Sequence, residues 1–98
     1  MLSELLTIHM SDGCAIKATI LGDEPGKPLL VTCHGAPGLS AHLEPEASYG
    51  DFADMFRVLV FDLRGCGDSD EKRPYTHAQW IQDIDELRYT TLFRSATI

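Results

Sequence analysis

A chain of 98 residues with 44% hydrophobic and 23% charged side chains has the balance of an ordinary globular protein and the length of one domain or part of one. Fifteen Asp and Glu against eight Lys and Arg give a formal net charge of −7, a field that repels phosphate backbones and anionic lipid, so nucleic acid and membrane surfaces are excluded as partners. The three cysteines, Cys14, Cys33 and Cys66, form no CxxC pair, and their odd number argues against a disulfide framework; a cytoplasmic location is expected.

The first residues, Met1 to Leu6, lack the cationic region and long apolar stretch of a signal peptide, and no run approaches the roughly 20 apolar residues that span a bilayer. Apolar and polar residues then alternate roughly from Leu5 to Met10 and from Ala15 to Leu21, with Asp12-Gly13 between them as a tight-turn signal, which predicts a β-hairpin. The glycines and prolines of residues 22–28 cannot continue a strand, so a polar loop follows. Leu29 to Cys33 and Arg57 to Phe61 are nearly continuous apolar runs, the pattern of strands covered on both faces of a parallel sheet. Between them, Ala47, Tyr49, Phe52, Ala53 and Phe56 show a loosely helical spacing over Glu46 to Phe56, which Gly50 weakens.

A loop rich in glycine and charge runs from Leu63 to Pro74. Thr76 with Gln79 three positions on is a capping-box start, and Trp80, Ile81, Ile84 and Leu87 form the apolar stripe of a helix expected to end near Arg88. Asp83, Asp85 and Glu86 are read as its solvated face. The order predicts an α/β chain, a β-hairpin followed by β-α-β-α, with a mixed sheet that becomes parallel.

Two motifs carry chemistry, and both sit where a buried strand ends. In His34-Gly35-Ala36-Pro37-Gly38 the glycines and proline force a sharp turn that frees backbone N–H groups from the sheet. This is the location of the oxyanion loop after the third strand of esterases and lipases. The second is Asp62-Leu63-Arg64-Gly65-Cys66-Gly67-Asp68-Ser69, in which Asp62 can accept bonds from the loop's own N–H groups and Arg64 can pair with a carboxylate beneath it. A dinucleotide fingerprint fails because Asp70 stands where its last glycine belongs, and Ser69 is no nucleophile elbow because Glu71 stands where G-x-S-x-G needs glycine. The four histidines and three cysteines show no metal-ligand spacing, His34 is read as a structural residue of its turn, Cys66 as a buried small residue and Trp80 as core packing.

Together, His34 to Gly38 followed by Asp62-x-Arg64-Gly65-x-Gly67-x-Ser69, with Tyr75-Thr76, Trp80 and Asp83 to Arg88, resemble the proline iminopeptidase group of α/β-hydrolases over nearly all of residues 5–88. The resemblance implies the N-terminal portion of an α/β-hydrolase fold, with Ala36 N–H, supported by Gly35, as the first oxyanion donor. His34, Pro37, Gly38, Asp62, Arg64, Gly65, Gly67 and Ser69 support the motifs. Relatives in this group usually carry HGGPG, so Ala36 departs from the pattern, but a backbone N–H donor tolerates alanine where its torsions permit.

The family orders nucleophile, acid and histidine after the second motif, and no G-x-S-x-G occurs anywhere in this chain. The expectation is a fragment of a serine hydrolase, inactive alone, with no metal or cofactor. Its full-length parent would act on a small molecule or peptide, leaving peptide, ester, epoxide and haloalkane hydrolysis open. The alternative is a truncated, non-catalytic binding module of the same fold. Residues 1–88 would be the hydrolase part and 89–98 a non-native tail, because Tyr89-Thr90-Thr91-Leu92-Phe93-Arg94-Ser95 is what the sequencing-library adapter string TAC ACG ACG CTC TTC CGA TCT encodes.

Overall fold

The computed structural model describes residues 3–34 and 49–96. Strands β1 (Ser3–His9) and β2 (Ala15–Leu21) form the expected antiparallel hairpin, in register from Ser3 opposite Leu21 to His9 opposite Ala15. Its turn is closed by Met10 N–H donating to Cys14 O at 2.8 Å and Gly13 N–H to Met10 O at 2.9 Å, with Gly13 at φ 90°. The Asp12 carboxylate accepts from Cys14 N–H at 3.1 Å, the side-chain-to-backbone bond that suits Asp to turns.

Among the described residues, strand β3 (Leu29–Val31) and strand β4 (Arg57–Phe61) join the hairpin in a four-stranded sheet of order β1-β2-β4-β3. β2 pairs antiparallel with β4, and β3 pairs parallel with it, so the sheet is mixed and becomes parallel as the sequence pattern predicts. β4 is buried along its whole length. Burying each of Val58, Leu59, Val60 and Phe61 is worth about 1.5–3 kcal/mol relative to exposure.

β3 differs from the expected strand over Leu29 to Cys33. It is shorter, it lies at the sheet's edge among the described residues, and its three side chains are only half-buried. Just past it, the N–H and the hydroxyl of Thr32 both donate to Leu59 O, at 3.0 and 2.9 Å, and Cys33 then faces solvent.

The pleat of β4 divides the core. Leu59 and Phe61 join Ile8, Met10, Cys14, Ile16, Ala18, Ile20, Leu63, Cys66 and Leu87 on one face, while Val58 and Val60 join Leu21 and Ala53 on the other. The second face is covered by a short 3-10 helix (Gly50–Asp54). Within the described residues this is what becomes of the helix expected over Glu46 to Phe56; residues 46–48 lie outside them, and only Ala53 is fully buried.

The first face is covered by helix α1 (His77–Ala96). Thr76 caps it, its hydroxyl accepting from Gln79 N–H at 3.1 Å. The return half of the capping box is absent, since the Gln79 side chain donates to Asp83 instead. α1 does not stop near Arg88 but continues eight residues further, to Ala96. The inward stripe of Trp80, Ile84 and Leu87 extends to a fully buried Thr91, whose hydroxyl donates to Leu87 O at 2.7 Å and so keeps a partner in the core. No helix among the described residues is long and apolar enough to cross a membrane.

Candidate active-site loops

His34 and Asp62, the first residues of the two motifs, follow the parallel strands β3 and β4 at the same end of the sheet. His34 is buried, and its Nε2 accepts a hydrogen bond from Leu63 N–H at 3.0 Å. The first motif is thus tied at its base to the first loop residue of the second. Gly35, Ala36, Pro37 and Gly38 lie outside the described residues.

The segment from Asp62 to Asp70 is stitched to β2 and to itself. Asp62 N–H donates to Lys17 O at 3.0 Å, and the buried Asp62 carboxylate accepts from Asp68 N–H at 3.0 Å. Ser69 Oγ donates to Asp62 O at 2.6 Å and accepts from Lys17 N–H at 2.9 Å, so this hydroxyl is committed to holding the loop. Gly65 and Gly67 have φ of 80° and 48°; a Cβ at Gly67 would stand 2.4 Å from the Asp62 carboxylate, which only glycine avoids.

Arg64 is fully buried and its guanidinium is saturated. Nε and Nη2 donate to Asp83 of α1 at 2.6 and 2.8 Å, Nη1 donates to Asp12 at 2.8 Å and to Lys72 O at 3.3 Å, and Nη2 also reaches Asp12 at 3.3 Å. All five donors of the planar fork are used. The hydrogen bonds to Asp83, ahead of the cost of burial, push the Arg64 pKa above its ordinary value. Arg64 in turn, with Cys14 N–H, holds the Asp12 carboxyl below the usual carboxylate range.

Asp83 and Glu86 correct the sequence reading of a solvated face. Asp83 is 1% exposed, and Glu86 is half-buried against the hairpin turn, accepting from Ser11 N–H at 2.7 Å and Ser11 Oγ at 3.1 Å. Only Asp85 of the three is exposed, paired with Arg88 at 2.9 Å. The signal for Asp83 was its place among Trp80, Ile84 and Leu87 on the inward side of α1; Asp12 carried no signal beyond that of a turn residue.

None of the three cysteines is in a disulfide; Cys14 and Cys66 are buried, and burial pushes the Cys14 thiol pKa up. Among the described residues no group of three His, Cys, Asp or Glu is placed to hold a metal ion, and the Trp80 indole N–H is buried without a partner. A surface groove of about 510 Å³ is bounded by Leu5, Thr7, Lys17 and Asp68, and His34 is not among its lining residues.

A model of the alpha/beta hydrolase fold family matches residues 28–93, and the chain belongs to that family. The proline iminopeptidase PfmaB of Pestalotiopsis fici is 36% identical over 77 residues, covering 79% of this chain and 27% of its own length. The chain thus spans about a quarter of that curated relative. Among solved structures, a hydrolase from Pseudomonas aeruginosa aligns with a TM-score of 0.72 at 30% identity, over 86% of this chain and 31% of the other. An epoxide hydrolase of the same superfamily from metagenomes of hot environments aligns with a TM-score of 0.78 at 26% identity, over 93% of this chain and 30% of the other.

Proposed function

We propose that the protein carrying this segment is a serine hydrolase of peptidase or esterase type, similar to proline iminopeptidase, in which the loop His34 to Gly38 supplies the first oxyanion donor. The donor is Ala36 N–H, with Gly35 allowing the bend. The observation that carries this reading is the buried bond from Leu63 N–H to His34 Nε2, which anchors the residue immediately before Gly35 to the second motif. The identity with PfmaB supports the iminopeptidase-like choice over ester, epoxide or haloalkane hydrolysis.

In this role the N–H meets the negative charge that develops on the carbonyl oxygen during acyl transfer, an interaction worth about 2.7–4 kcal/mol of transition-state stabilisation. The remaining motif residues shape the loops and take no part in bond making. Nucleophile, acid and catalytic histidine come from residues outside this chain, which holds no G-x-S-x-G. Serine-dependent acyl transfer is nucleophilic and acid–base chemistry, so no cofactor is required. We place the protein in the cytoplasm.

The test is a chimera in which residues 5–88 replace the matching segment of the Pestalotiopsis fici enzyme. Turnover of a prolyl arylamide supports the reading; a folded chimera without turnover overturns it. The 98-residue chain alone is expected to show no turnover and no labelling by a fluorophosphonate serine probe.

Residues 89–98 are, in the same reading, adapter-encoded rather than native. The support is that Tyr89 to Ser95 has the amino-acid sequence that the adapter string would encode. Sequencing the source locus across codon 88 with a different library chemistry tests it. A frame that continues into a strand and G-x-S-x-G supports it; genomic DNA encoding Tyr89 to Ile98 followed by a stop overturns it.

A further inference from the structure

The Arg64 cluster reaches from helix α1 and the hairpin turn to the base of the His34 loop in three short steps. Asp83, anchored by Gln79 Nε2 at 2.9 Å, grips the Nε/Nη2 edge of the Arg64 guanidinium at 2.6 and 2.8 Å. Asp12 and Lys72 O take the opposite edge. With all five N–H groups engaged and the side chain fully buried, the fork cannot swing without breaking a charge-assisted bond. The residue immediately before Arg64 is Leu63, whose N–H donates to His34 Nε2. Because that nitrogen accepts, the ring proton belongs on Nδ1, and both the ring's orientation and its tautomer depend on where Leu63 N–H points.

We propose that Asp83 is a positioning residue for His34. Through Arg64 it sets Leu63 N–H, and through Leu63 it fixes the His34 imidazole one residue before Gly35. Helix α1 and His34 are thereby coupled. Only the consequence of this relay for catalysis rests on the oxyanion reading; the relay itself is a property of the 98-residue chain.

The two ideas fail differently. A chimera whose turnover ignores the loss of Ala36 N–H rejects the oxyanion role and leaves the relay standing. The relay is tested by nitrogen NMR and amide exchange on the labelled 98-residue chain carrying Asp83→Asn, with Gln79→Ala as a milder variant and Asp85→Asn as the control on the same helix. In the parent chain and the control, His34 is expected to show a single tautomer with Nε2 unprotonated. Asp83→Asn is expected to give a tautomer mixture and to accelerate Leu63 amide exchange about tenfold more than that of Val60 in β4, with Gln79→Ala shifting both in the same direction.

A merely structural role for Asp83 would accelerate Leu63 and Val60 together and leave the tautomer unchanged, and that result overturns the proposal. Should Asp83→Asn fail to fold, Gln79→Ala decides alone: selective loosening at Leu63 and His34 supports the relay, and an unchanged His34 pattern overturns it.

Discussion

Arg64 and Asp83 meet edge to edge in the core, 0% and 1% exposed, through two parallel bonds of 2.6 and 2.8 Å. Neither ion reaches water, so each depends on the other to offset its desolvation. Removing one partner from such a pair costs about 3–5 kcal/mol, far more than the pair contributes against an apolar replacement of both. Asp83→Leu is expected to destabilise the chain by about that amount in urea titrations, whereas Asp85→Leu, which breaks only the exposed pair with Arg88, should change stability by less than about 1 kcal/mol. Equal effects would contradict the burial contrast.

Acid sensitivity follows from two depressed carboxyls. The Arg64 guanidinium and Cys14 N–H lower Asp12. Burial works against ionisation of Glu86, but hydrogen bonds from Ser11 and Gln82 outweigh it and leave its pKa below the usual range. A depressed folded-state pKa contributes stability that is complete above the unfolded value, near 4, and is lost as pH falls through the folded value. Stability should therefore drop below about pH 4, and the Asp12→Asn/Glu86→Gln double variant should show a shallower drop between pH 4 and pH 2. Because a third of the Asp12 side chain faces solvent, Asp12→Asn alone should cost only about 0.5–1 kcal/mol at pH 7.

Ser69 separates a structural hydroxyl from a nucleophile. Its Oγ links Asp62 O to Lys17 N–H in a buried setting, so Ser69→Ala orphans both and should cost about 1–3 kcal/mol. Thermal melts of the variant measure this. Fluorophosphonate labelling should be nil in both forms.

Two glycines with positive φ give opposite outcomes. At Gly67 (φ 48°) a Cβ would lie 2.4 Å from the Asp62 carboxylate, whereas at Gly13 (φ 90°) it would meet nothing within 4 Å. Gly13→Ala should cost about 1 kcal/mol from backbone strain alone, and Gly67→Ala should cost more and also break the bond from Asp68 N–H to Asp62. Urea midpoints of the two variants measure the difference.

What was legible in the sequence was local. The hairpin, the buried β4 run, the Thr76 start of α1 and the bond-accepting Asp62 all follow from patterns within a few residues. Arg64 was expected to find a carboxylate, but its partners Asp12 and Asp83 lie 52 and 19 residues away, and pairing at such distances is set by packing. Asp83 looked solvated because a carboxylate among other acids on a helix usually is, and only the inward stripe of α1 reveals otherwise. The extension of α1 beyond Arg88 was hidden by the low helix propensity of Thr90-Thr91, which burial of Thr91 in the core overrides.

The most direct test of the oxyanion reading is a pair of substitutions in the chimera described above. Ala36→Pro removes the N–H by which this loop should meet the developing charge, while Ala36→Gly keeps it. Ala36→Pro is predicted to lower kcat about 10²–10³-fold with KM little changed, and Ala36→Gly to leave kcat within about threefold. A chimera that turns over substrate equally well with proline or glycine at this position would contradict the account.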